Sequence, residues 1–160
     1  MAIIHESKNF IIESREEPFI SREEGGHIRI RVKDKSITDR TKLNSEQAIE
    51  LMKLTIITGD SLEKGMNKQG IQVVKVNYQD NGNWAFKKNE SPYLHIHIFG
   101  RSKNAKKQVF PEAVYLPKRE SGFYNEFKPL NKQDVKIIKE LIETSLQSKK
   151  FSGSKWNSAY

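Results

Sequence analysis

Three side chains capable of polar chemistry stand two residues apart in the stretch Ser91-Pro92-Tyr93-Leu94-His95-Ile96-His97-Ile98-Phe99-Gly100-Arg101. Strict alternation of this kind marks a β-strand with one buried face, so Leu94, Ile96 and Ile98 point one way and Tyr93, His95 and His97 the other. Two imidazoles and a phenol on a stiff ribbon can reach one small anionic group together. Neutral imidazole is a competent nucleophile toward phosphorus near its own pKa, and a neighbouring imidazole can donate a hydrogen bond to the charge that builds on a phosphate oxygen. Phosphoryl or nucleotidyl transfer is therefore the chemistry that suits the pair.

Other chemistries fit less well. A zinc site built from His27, His95 and His97 is open to the sequence, because imidazoles two apart on a strand can share a metal, but no acidic neighbour or outer partner for the rings is visible. Serine hydrolysis would need a nucleophile elbow, and no Gly-x-Ser-x-Gly is present. A phosphate-cradling Walker loop is missing as well.

The formal charge of +8 favours anionic partners. The excess is local: Arg101, Lys103, Lys106, Lys107, Lys118 and Arg119 are opposed only by Glu112 between residues 101 and 119. That segment follows the histidine strand directly and favours a phosphate-bearing ligand there, although a solvated basic loop has the same composition. At 160 residues one domain over 1–148 is expected, with a polar tail at 149–160 that is either a loose end or a strap across a partner. The lack of cysteine fits a reducing compartment, and a cytoplasmic location is expected. No apolar run is long enough for a bilayer, and Met1 to His5 is too short for a signal peptide core.

The elements that must hold the histidines follow from pattern. Asn9 to Ser14 reads as a strand and Arg22-Glu23-Glu24-Gly25-Gly26 as a turn, after which His27 to Lys33 alternates with Ile28, Ile30 and Val32 on its dry face. One wet and one dry face belong to an antiparallel sheet. Asn44 with Gln47 forms a capping box for a helix of roughly six turns that ends before Gly70. Ile71 to Tyr78 reads as a strand and Gln79 to Asn83 as a turn, with Trp84 as its hydrophobic anchor. Residues 102–125 are mostly loop. Asn131, with Asp134 three positions on, caps a last helix with Val135, Ile138, Leu141, Ile142 and Leu146 on its buried stripe. Phe10, Phe19 and Phe99 read as core.

Gly26-His27-Ile28-Arg29-Ile30, a long helix, a strand ending in Gln79-Asp80 and then His95-Ile96-His97-Ile98-Phe99 follow one another in the order that resembles the histidine triad superfamily of nucleotide hydrolases and transferases. The resemblance spans residues 10–101. It implies an α+β fold, an antiparallel sheet of about five strands with the long helix and the C-terminal helix packed on it.

By the same resemblance His95 is similar to the histidine that attacks the α-phosphorus and holds the nucleotide as a phosphoramidate. His97 resembles the one that contacts phosphate oxygens and helps the leaving group, and His27 the one lying behind the triad. Gln79 resembles the glutamine that bonds the phosphate chain. Tyr93 occupies the first triad position, where the family usually has histidine. Ser91 and Arg101 are expected phosphate contacts, and Asn77 or Ser21 a ribose contact.

The substrates so implied are dinucleoside polyphosphates or nucleoside phosphoramidates, handled without a metal or other cofactor, and a homodimer is implied as well. Two alternatives remain at this stage. One is a regulatory nucleotide-binding protein that has lost turnover through Tyr93, and the other is a nucleic-acid-end processor using the basic segment after Arg101.

Overall fold

The structure is a computed structural model and describes residues 1–153 and Trp156. Five strands form a single sheet: β1 (Ile3–Glu6), β2 (Phe10–Ser14), β3 (His27–Val32), β4 (Val73–Asp80) and β5 (His95–Ser102). Their order is β1-β2-β3-β5-β4, and every neighbouring pair is antiparallel. Among the described residues three α-helices complete the fold, α1 (Ser45–Lys68), the short α2 (Asn83–Lys87) and α3 (Lys132–Gln147). The α+β arrangement expected from the sequence is thus the one observed. No helix among the described residues is long and apolar enough to cross a membrane.

The helices α1 and α3 cover one face of the sheet. Ile28, Ile30, Ile96 and Ile98 project from the central strands into a core completed by Leu54, Ile57 and Leu62 of α1 and Ile138 and Ile142 of α3. Each such side chain contributes about 1.5–3 kcal/mol by leaving water, so this layer fixes which face of β5 remains for chemistry. Both long helices begin with reciprocal capping boxes, Asn44 with Gln47 and Asn131 with Asp134. Asp134 is also buried beneath a two-pronged Arg22 guanidinium, with Nε at 2.6 Å and Nη2 at 3.0 Å, which ties α3 to the turn before β3.

Glycine sets that turn against β5. A Cβ on Gly100 would lie 2.1 Å from the Gly25 carbonyl oxygen, and Gly25 itself has φ +129°. The Gly100 N–H donates to the Gly26 carbonyl at 3.1 Å. Only glycines allow two backbones to come this close, and the contact delivers His27 to the first position of β3.

Four local features differ from the sequence reading. The edge strand β1 was not anticipated, because four residues with one strongly buried position leave little periodicity. Strand β5 begins at His95 rather than Ser91. Pro92 has no N–H to give, and the Leu94 N–H goes to the Ile37 carbonyl at 2.8 Å instead of to β3. Asn83 opens α2 instead of ending a turn. Finally, Phe151 is only 6% exposed and joins the core, with Trp156 stacked on it at 5.6 Å. The first part of the expected tail therefore packs on its own chain, while residues 154, 155 and 157–160 lie outside the described residues.

Candidate active site

On the face of the sheet away from α1 and α3, register brings the histidines together. His27 pairs with Phe99 and Arg29 with His97 across β3 and β5, so side chains at 27, 29, 95, 97 and 99 project to the same side. Ring centroids of His27 and His97 are 5.0 Å apart, and those of His95 and His97 4.9 Å. Tyr93, just before the strand, lies 5.1 Å from His95. The four expected side chains at 27, 93, 95 and 97 form one continuous row.

The hydrogen bonds along this row fix the protons. The Phe19 amide donates to His27 Nδ1 at 3.1 Å, and an amide has only a proton to give, so this nitrogen is unprotonated. Neutral His27 then carries its proton on Nε2 and donates it to His97 Nδ1 at 2.9 Å. His97 in turn keeps its proton on Nε2. For His95 the logic reverses: Nδ1 faces the Tyr93 carbonyl at 2.8 Å and must be the donor, which leaves the Nε2 lone pair unprotonated.

Burial and nearby cations keep all three rings neutral. His97 is pushed down to about 3, first by burial and then by the charges of His95, Arg29, Arg15 and Arg119. His27 is driven well below its ordinary value, again by burial before charge. Burial also lowers His95, against a smaller opposing effect of its bond to the Tyr93 carbonyl.

A cavity of about 550 Å³ opens in front of His95 and His97. One wall is aromatic: Phe19 stacks on His27 at 5.5 Å and meets His97 and Trp84 edge-on at 5.6 and 5.5 Å. The Arg119 guanidinium lies 4.4 Å from the Phe19 ring on its own face. The rest of the lining carries mostly cations, with Glu90 its one carboxylate. Arg15, Arg29 and Lys35 are among them, Arg29 donates to the Tyr93 hydroxyl at 3.3 Å, and Lys35 sits 5.6 Å over the Tyr93 ring. With its oxygen already accepting, the Tyr93 hydroxyl has its proton free for a ligand. Beneath this wall the fully buried Glu13 receives both Arg29 and Arg31, two cations on one carboxylate.

The remaining expected residues divide. Ser91 lines the cavity. Gln79 lies opposite His97 in the β4–β5 register but outside the cavity wall, and its Oε1 accepts from Asn81, which does line it.

Arg101 and Asn77 are not brought to the cavity. Arg101 is 2% exposed and spends its guanidinium on Asn77 Oδ1 and on the carbonyls of Gln108, Val109 and Glu112, because a buried fork with five donors is satisfied by a loop that turns around it. Ser21 likewise serves its own turn, donating to Glu23 and accepting from the Lys128 amide.

The basic segment is folded differently from expectation as well. The backbone amides of Lys106, Lys107 and Gln108 converge on the Glu24 carboxylate at 2.6–3.0 Å, so the anion in that nest belongs to the protein. Only Leu116 of residues 101–119 lines the cavity, with Arg119 behind Phe19.

Phe19 and Phe99 were expected in the core. Phe99 is buried, but against His27 at 4.6 Å on the histidine side, and Phe19 is a wall of the cavity. Arg15, Arg29 and Lys35 escaped the sequence reading, although the Arg29 position on the His27 face could have pointed to it. The facing nitrogens of His27 and His97 are spent on each other, and among the described residues no group of three His, Cys, Asp or Glu side chains could hold a metal ion.

Comparison with known proteins bears on the fold. No family model matches the sequence, and no curated protein matches it. Solved structures do. A histidine triad protein from Sinorhizobium meliloti superposes with a TM-score of 0.62 at 14% identity, over 90% of this chain and 88% of its own. A hypothetical histidine triad nucleotide-binding protein from Sulfolobus tokodaii gives 0.57 at 16% identity, over 91% and 85%. A Hit-like protein involved in cell-cycle regulation from Bartonella henselae gives 0.54 at 14% identity, over 87% and 84%. Strand order, helix placement and these superpositions agree that the chain has the histidine triad fold.

Proposed function

We propose that this chain is a histidine triad enzyme, a nucleotide hydrolase or nucleotidyl transferase that acts at the α-phosphorus through a nucleotide bound to His95. The observation that carries the reading is the bond from His95 Nδ1–H to the Tyr93 carbonyl, which leaves Nε2 with a free lone pair at the cavity. In the first step this lone pair forms a bond to the α-phosphorus, and the bond to the leaving group breaks with its electrons going to that group. The His97 Nε2–H, held by the His27 relay, donates a hydrogen bond to the oxygen where charge develops.

Because Nδ1 keeps its proton, the nucleotidyl imidazole is cationic and departs as neutral imidazole in the second step. There a water oxygen bonds to phosphorus, the P–N electrons return to Nε2, and the water proton passes to solvent. Another nucleophile in place of water gives transfer. In this reading Ser91 and the Tyr93 hydroxyl, which line the cavity, bind phosphate oxygens, with Asn81 and, through it, Gln79 at the edge of the same cavity.

Incubation with a dinucleoside polyphosphate or a nucleoside phosphoramidate, quenched and read by intact mass, tests this directly. The expected result is nucleoside monophosphate as product and an acid-labile nucleotidyl adduct on His95. His95→Ala should abolish both, and His97→Ala should slow turnover by about 10²-fold, as for loss of one oxyanion donor. Nucleotide binding with no product and no adduct would identify a regulatory binding protein instead.

A further inference from the structure

Arg15, Arg29, Lys35 and Lys88 line the cavity against the single carboxylate of Glu90, more positive charge than one phosphate diester needs. Glu13 neutralises one of its two arginines, and among the described residues no carboxylate lies within ion-pair distance of Arg15 or Lys35. The Arg15 Nε is buried with no hydrogen-bond partner at all. A buried donor left idle costs about 1–3 kcal/mol, and an acceptor arriving with the ligand would remove that cost. Burial first, and then the charge of Arg29, lower Arg15, against an opposing pull from Glu13.

We propose that Arg15 and Lys35 form an anion subsite beside His95 that binds the phosphate chain of the leaving group, so that the preferred substrate is a nucleotide whose α-phosphorus is joined to further phosphates. This rests on the reading of His95 as the nucleophile. Lys35 covers the Tyr93 ring and Arg29 holds its hydroxyl, while Arg15, one residue past the Ser14–Ile28 pair and so beside His27 in the sheet, reaches into the same cavity.

The chemistry of the leaving group agrees. A phosphate departs as a stable anion and needs only hydrogen bonds and positive charge. With a phosphate leaving group the cations of the lining can supply that charge directly.

Calorimetric titration with inorganic tripolyphosphate and with orthophosphate separates the subsite from turnover. Tripolyphosphate should bind the protein at least about tenfold more tightly than orthophosphate, and Arg15→Gln and Lys35→Ala should each weaken it about tenfold, as for loss of a charged hydrogen bond. Lys136→Ala, an exposed lysine on α3, is the control for net charge and should leave the affinity unchanged. Equal affinity for the two anions, or equal behaviour of the three variants, would overturn the proposal.

In a second arm, kcat/KM of the wild-type protein for a dinucleoside polyphosphate should exceed that for the matching phosphoramidate, and Lys35→Ala should shrink the ratio. A ratio at or below one in the wild-type protein also overturns the proposal. Failure of both substrates to turn over or label His95, with tripolyphosphate binding intact, would remove the enzymatic reading and still support the anion subsite.

Discussion

Acid should loosen this protein through the same burial that keeps its histidines neutral. The His97 ring is 5% exposed and is pushed down to about 3, whereas in the unfolded chain it returns to the ordinary value of 6.5. Below 6.5 the unfolded chain takes up a proton that the folded protein refuses, so stability is complete above that value and declines as the pH falls. Between neutrality and about pH 5 the loss assigned to His97 alone is about 2 kcal/mol, at roughly 1.4 kcal/mol for each pH unit below 6.5. His27 is lowered too and acts in the same direction.

Urea unfolding at about pH 7 and about pH 5 measures the difference. Wild-type protein should lose at least about 2 kcal/mol over that interval, and His97→Gln should lose about 2 kcal/mol less than wild type. The variant will start from lower stability, because the His27 Nε2–H loses its partner, so the comparison is between the two pH slopes. Identical slopes would mean that His97 is not held neutral by its surroundings, and the proton assignments along the row would fail with it.

Two packing predictions are independent of chemistry. Gly100→Ala places a Cβ 2.1 Å from the Gly25 carbonyl, where neither backbone can yield, and should cost about 3 kcal/mol, seen as a melting temperature lower by roughly 6–12 °C. An unchanged melting temperature would contradict the close crossing of the two chains. Phe151→Ala should cost about 3–5 kcal/mol in urea unfolding, since its ring is buried with the core, and a loss below about 1 kcal/mol would return residues 149–153 to the status of a loose tail.

What the sequence made legible was whatever depends on short-range period. The alternation through Leu94, Ile96 and Ile98 identified the buried face of β5, and the side of the imidazoles followed from it without further information. Asn44 with Gln47 and Asn131 with Asp134 announced both long helices, because a capping box is complete within four residues. Residues whose role depends on what lies across the fold were hidden. Arg101 looks like a phosphate ligand in a basic run, and only the loop that wraps it shows that four oxygens of the protein already occupy it. Arg15 and Phe19 sit in a connecting segment with no period of its own, so nothing local marks them as cavity walls. Phe151 was obscured by its serine and lysine neighbours, since one buried ring in a polar stretch leaves no pattern.

In the proposed mechanism the atom that readies His95 is a main-chain oxygen. Any amino acid at position 93 brings that same carbonyl, so on this reading a phenol or an imidazole there would alter what meets the ligand and leave the His95 ring oriented as it is. The proposed mechanism thereby divides reactivity and selectivity between two parts of one residue, the backbone of Tyr93 serving the first and its ring, clasped by Arg29 and roofed by Lys35, serving the second.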